Sequence, residues 1–190
     1  MKTRRGREGF TLIELMIVVA IVGILAVLAT YGVRKYIASA KTTEARNSIG
    51  RLSNAAVIAY ENENMNSPVL AAGTSTGFTR TLCNSASANV PSGIGLVTGA
   101  KYQSTATDWN TDSAGNSGFS CLHFTIDEPQ YYMYGYNVSG TSTVGNSFTA
   151  FANGDLNGDG VLSTFSITGS INSSYIINVA PNMLAIQPEE

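Results

Sequence analysis

A single carboxylate interrupts an otherwise apolar run. From Phe10 to Val33 the chain reads FTLIELMIVVAIVGILAVLATYGV, and Glu14 is its one charge. A carboxylate at membrane depth is costly unless something pairs with it, and such residues are commonly functional. A second set is DLNGDG, Asp155 to Gly160. There Asp155, Asn157 and Asp159 are spaced as the opening of a calcium loop, Gly160 supplies the turn and the Val161 carbonyl is a further oxygen. The twelfth loop position is Ser166, where an EF-hand carries a bidentate glutamate, and the flanks read as strands. The competing reading is a tight hairpin made by the Asn-Gly and Asp-Gly pairs. Any calcium here would be structural, and no cofactor is required.

Cys83 and Cys121 form the single thiol pair, and His123 is the one histidine. Two thiols and one imidazole fall short of a metal set, so export to an oxidising compartment would leave a disulfide. GTSTG, Gly73 to Gly77, matches the nucleophile-elbow pattern around Ser75, but it lies in a stretch of small polar residues without the strand and helix that motif needs. His123, within FSCLHFTI, reads as a sheet residue.

These residues need elements to hold them. Phe10–Val33 is 24 residues, about 36 Å as a helix and long enough to cross a bilayer core. Lys2, Arg4, Arg5 and Arg7 before it keep that flank cytoplasmic, which places the C-terminal bulk outside. Beyond it, Val33, Tyr36, Ile37, Ala40, Ala45, Ile49, Leu52, Ala56 and Ala59 recur at three- and four-residue steps, an amphipathic stripe. One helix is predicted from Phe10 to Glu63, membrane-spanning over 10–33 and packed on a globular head over 34–63.

The head, 64–190, opens with an irregular connection over 67–116. Strands are predicted at FSCLHFTI (Phe119–Ile126), YYMYGYNV (Tyr131–Val138), SFTAFA (Ser147–Ala152) and VLSTFSI (Val161–Ile167), with an edge strand at YIINVA (Tyr175–Ala180). DEPQ is read as the turn joining the first two. Tyr132, Tyr134 and Tyr136 share one face of their strand and read as core. A long helix against a small antiparallel sheet is an α+β fold. The net charge is −2, and removing residues 1–9 makes it −5, so nothing here recommends DNA as a direct ligand.

The opening stretch also carries a resemblance. GFTLIELMIVVAIVGILA, Gly9 to Ala26, is similar to the class III leader and N-terminal helix of type IV prepilins: a short basic leader, Gly at the cut, Phe first in the mature chain and Glu fifth. A secretory signal cut after Ala29 is the competing reading; Glu14 and the stripe running past that point argue against it. The later ATYGVRKYIASAKTTEARNSIG and GDLNGDGVLSTF resemble the major pilins of gliding myxobacteria. Two family habits are not followed. Tyr31 and Gly32 stand where a proline is common, and the cysteines do not close a C-terminal loop.

The resemblance implies a leader at 1–9, cleavage by prepilin peptidase between Gly9 and Phe10, and methylation of the new Phe10 amine. It implies that Glu14 pairs with the Phe10 amine of a neighbouring subunit. The function implied is that of a structural pilus subunit, not an enzyme. It waits single-pass in the inner membrane, then polymerises with copies of itself into a retractable surface fibre for motility and attachment. Its partners would be an assembly platform with extension and retraction ATPases, an outer-membrane secretin, and a surface or extracellular polysaccharide. Alternatives are a pseudopilin of a type II secretion system and, more remotely, a secreted calcium-dependent binding module or enzyme.

Overall fold

The computed structural model describes residues 9–62, 64–65, 72–73, 75, 78–115 and 117–188. Two compact units divide it, Met1–Ile37 and Ala38–Glu190. Helix α1 runs from Leu12 to Glu61, inside the predicted Phe10–Glu63; residue 63 lies outside the described residues. No proline interrupts it, and its Ala, Leu and Met residues are strong helix formers. In the first unit every large apolar side chain from Leu12 to Val33 is more than half exposed.

In the second unit α1 buries Ala45, Ile49, Leu52, Ala56 and Tyr60, spaced at three and four residues along one face. The predicted stripe began earlier, but Val33, Tyr36 and Ile37 stay exposed and burial starts at Thr42. Leu52, fully enclosed, would cost about 2–5 kcal/mol on truncation to Ala.

A five-stranded antiparallel sheet packs within the same unit. Its strands are β3 (Met133–Val138), β4 (Ser147–Gly154), β5 (Ser163–Ile171), β6 (Ile177–Val179) and β7 (Leu184–Ile186). The order is β3-β4-β5-β6, with β7 also on β5. Register is fixed by alternation: Phe148, Ala150 and Ala152 of β4 face inward, opposite Tyr136 and Tyr134 of β3 and Phe165 of β5. Tyr132, Tyr134 and Tyr136 are fully buried, as their two-residue period predicts. Gly154 is required by close approach, since a Cβ there would lie 2.6 Å from the Tyr132 ring.

The first predicted strand is not one. Residues Gly118–Leu122 form a short helix, α3, and DEPQ joins no pair of strands. Phe119 and Leu122, three apart, are both buried, which is helical spacing. His123 then ends the helix in the left-handed conformation (φ 50°), and Phe124 turns back against Trp109 at 5.5 Å between ring centres. His123 is thus an exposed helix cap and not a sheet residue, and Cys121 sits on a helix.

The region predicted as irregular holds small elements: β2 (Phe78–Thr79), paired with β1 (Asn64–Met65) just before that region, a 3-10 turn at Ile94–Leu96, and α2 (Ala106–Trp109). Its buried Leu82, Val90, Val97 and Trp109 belong to the core. Isolated bridges Val90↔Tyr134 and Tyr102↔Gln130 tie it to the edge of β3. The tail contributes two short strands instead of one, β7 being additional to the predicted edge strand.

Candidate functional site

At the head of α1, Thr11 and Glu14 hold one another. The Thr11 N–H and hydroxyl both donate to Glu14 Oε2, at 2.8 and 2.6 Å, and the Glu14 N–H donates to Thr11 Oγ1 at 3.4 Å. This is a capping box: residue N-cap and residue N3 satisfy each other's orphan donors. The helix begins at Leu12, so Gly9, Phe10 and Thr11 precede it in non-helical, exposed backbone. The bond between Gly9 and Phe10 therefore lies in open chain; residues 1–8 lie outside the described residues. Sequence reading paired Glu14 with Phe10 and missed Thr11, although T-L-I-E is itself the capping-box signature.

Cys83 and Cys121 are bonded, with Cα atoms 5.8 Å apart. The bridge joins the long connection to α3 beside β3, where the Tyr136 hydroxyl donates to the Cys83 carbonyl. Ser75 is exposed and has no described partner; residues 74, 76 and 77 around it lie outside the described set.

The DLNGDG stretch turns β4 into β5. Asp155, nearly fully buried, accepts the Gly158 N–H on Oδ1 (2.7 Å) and the Gly160 N–H on Oδ2 (3.1 Å). Asp159 Oδ1 accepts the Val161 N–H and Asn157 Oδ1 accepts the Asp159 N–H, at 2.8 and 3.0 Å. Gly158 and Gly160 adopt positive φ (79° and 88°), which glycine allows without strain. The loop also anchors sideways, the Gly99 N–H donating to the Asp155 carbonyl at 2.7 Å. Ser166 lies in β5, away from the turn, paired with Phe151 and Leu184. Among the described residues no three His, Cys, Asp or Glu side chains converge as a metal set. Asp155, Asn157 and Asp159 are brought together, but their oxygens already serve the loop's own amides.

A further carboxylate escaped sequence reading. Glu44 Oε1 accepts the Tyr131 N–H (2.9 Å) and the Tyr134 hydroxyl (3.3 Å), locking α1 to the entry of β3. Burial raises its pKa above the usual carboxylate value, against the lowering effect of those two bonds and of Lys101. Burial likewise pushes the Tyr132 phenol up to about 12. Glu44 had no signal beyond a charge falling between the stripe positions Ala40 and Ala45.

A bare apolar helix continuing as the spine of a small antiparallel head is the architecture of the type IV pilin class. Comparison with known proteins agrees. The family described as "Prokaryotic N-terminal methylation motif" matches residues 4–30. The type IV major fimbrial protein FimA of Dichelobacter nodosus is 30% identical over 122 residues, covering 62% of this chain and 76% of that protein. A fimbrial protein of Pseudomonas aeruginosa is 48% identical over 52 residues, 27% of this chain and 34% of that one. Fimbrial protein EcpC of Eikenella corrodens is 52% identical over 44 residues, 23% and 29% respectively. Against these last two the match spans about a third of their length. No solved structure matches the chain significantly. The chain belongs to the type IV fimbrial protein family.

Proposed function

We propose that this chain is the structural subunit of a type IV pilus. Prepilin peptidase cuts it between Gly9 and Phe10 and the Phe10 amine is methylated. The mature subunit spans the inner membrane by residues 10–33 with its head outside. It then polymerises through that helix, Glu14 of one copy receiving the Phe10 amine of another, into a fibre driven by partner ATPases through a secretin. Surface motility and attachment are the work of the fibre. The subunit itself needs no catalytic centre.

The observation that supports this reading best is the helix Leu12–Val33, whose large apolar side chains are all more than half exposed and which carries one carboxylate in its first turn. At about 25 cal/mol per Å² such a surface is strongly driven out of water. Lipid serves before assembly and copies of the same helix afterwards. Among helices in a membrane, packing is the driving force, and Ala20, Gly23, Ala26 and Ala29 let backbones approach.

The test is mass spectrometry of sheared surface fibres. A subunit starting at Phe10 with one added methyl is expected, in fibres long enough to leave the cell. A mature N-terminus at Thr30 would exclude the reading. Correct processing with no surface fibre would favour a pseudopilin of a type II secretion system.

A further inference from the structure

We propose that the outer face of the sheet docks a neutral glycan, with the Phe151 ring as the platform for one of its sugars. The proposal rests on the attachment role given to the fibre above, and names the surface and the partner chemistry.

The strands β3 to β7 carry no Asp, Glu, Lys, Arg or His. From Tyr131 to Pro188 the only charges are Asp155 and Asp159, both in the turn between β4 and β5. Alternation and register send Tyr134, Tyr136, Phe148 and Phe165 into the core. The opposite face presents Asn137 of β3, Thr149, Phe151 and Asn153 of β4, and Ser166 and Thr168 of β5. Protein surfaces ordinarily mix charges of both signs. A face with no cation does not suit a polyanion or an anionic lipid, so the partner that it complements is uncharged.

Phe151 gives this face a centre. Three sheet glycines lie under an aromatic ring of the neighbouring strand: Gly154 under Tyr132, Gly169 under Phe148 and Gly135 under Phe151. Tyr132 and Phe148 are fully buried, so those two pairs belong to the core. Phe151 is on the outer face and partly exposed. A Cβ on Gly135 would fall 2.6 Å from Phe151 Cε1, so the ring lies across the β3 backbone where glycine leaves room. Polar groups around it are held in place. The Thr149 and Thr168 hydroxyls are 3.2 Å apart, and the Thr164 hydroxyl donates to Asn153 Oδ1 at 2.9 Å. Asn153 Nδ2 and the side chains of Asn137 and Ser166 make no hydrogen bond among the described residues.

A pyranose offers a face of C–H groups and a rim of hydroxyls. An aromatic ring set among neutral donors and acceptors complements both. A second copy of this chain fits less well. Leu184 and Ile186, paired with Ser166 and Thr164, are the large apolar side chains exposed here, and two such residues are few for a protein interface.

The experiment uses the processed full-length subunit, unassembled in a detergent without a sugar headgroup. Its retention is measured on immobilised glucan, mannan, galactan and chitin-type polymers, with heparin and double-stranded DNA as charged comparators. Wild type should bind at least one neutral polymer, equally at low and high salt. Phe151→Tyr keeps the ring and should bind as wild type. Phe151→Leu still covers Gly135 and should bind about tenfold more weakly, the share of one aromatic contact. Ser166→Glu, which puts a charge beside the ring, should bind more weakly too. Near-UV circular dichroism of Trp109 shows that each variant is folded, and Ser166→Glu decides if Phe151→Leu is not. The proposal is overturned if wild type binds no neutral polymer, if it binds only heparin or DNA, or if folded Phe151→Leu and Ser166→Glu bind as wild type does. Self-association lost in Ser166→Glu, with no glycan bound, would give the face to a second copy instead. Because the subunit is unassembled, these results stand apart from whether it builds fibres, which tests the reading above.

Discussion

Glu44 reaches across 87 residues of chain to accept the Tyr131 N–H at 2.9 Å, and through the same oxygen it receives the Tyr134 hydroxyl. Around it stand Lys101 and Glu128, and Lys41 and Lys101 each lie over the Tyr131 ring, 4.5 and 4.6 Å from its centre. The helix–sheet joint is therefore polar at its rim and aromatic within.

Because burial raises the Glu44 pKa in the folded head, its contribution to stability is greatest in acid. That contribution is lost as pH rises through the folded pKa, which lies above 4.5. Glu44→Gln keeps an acceptor for Tyr131 and removes the charge. At pH 7 it should stabilise the head slightly, since solvent screens a partly exposed group, and at pH 4 the gain should vanish. Near-UV circular dichroism of Trp109, the single and buried tryptophan, follows the melt in detergent. A variant less stable than wild type at pH 7 would show that the charged hydrogen bonds outweigh burial.

The Cys83–Cys121 bridge closes a 38-residue separation. Chain entropy assigns such a closure about 3–4 kcal/mol. The double variant Cys83→Ser, Cys121→Ser should lose about that much against urea, and native protein should expose no thiol to alkylation. Two reactive thiols in the native subunit would contradict the bond.

What the sequence made legible followed from periodicity. The apolar run and the stripe Ala45, Ile49, Leu52 and Ala56 announced α1, and the alternations of β3, β4 and β5 announced the sheet. Where burial has no period, reading failed. Leu82, Val90, Val97 and Trp109 enter the core from a connection held by isolated bridges, such as the reciprocal N–H to carbonyl pair between Val90 and Tyr134, and no local pattern marks them. FSCLHFTI misled because its apolar residues satisfy a strand period almost as well as a helical turn. The three residues of β7 are all exposed, so that strand rests on backbone pairing with β5 alone. At the start of α1 Glu14 was conspicuous by charge, while Thr11 was hidden by looking ordinary.

Asp155 is the hinge of the calcium question. Its two oxygens hold the Gly158 and Gly160 amides, so Asp155→Ala should orphan both and cost about 2 kcal/mol. We propose that this turn stands without a cation. Chelation with EGTA should then leave the wild-type melting temperature where it was. A fall on chelation, restored by calcium and absent in Asp155→Ala, would establish a structural calcium site instead.

Glu14→Val separates membrane insertion from assembly. A carboxylate near a helix centre costs about 2.5–3.5 kcal/mol on insertion scales, and less near an interface. Removing it should leave the subunit in the inner membrane in at least wild-type amounts. The bond between Gly9 and Phe10 stays in exposed, non-helical chain, and cleavage should proceed. What the variant lacks is the acceptor proposed for a neighbour's Phe10 amine, so subunits should accumulate processed yet build few or no fibres, and surface motility should be lost. Thr11→Ser in the same assay should be close to wild type, which ties the loss to the carboxylate and not to disturbance of the helix start. Immunoblots of membranes, mass spectrometry of the N-terminus and electron microscopy of fibres read the three steps separately. Abundant, motile fibres of Glu14→Val subunits would show that the helices find their register by packing alone.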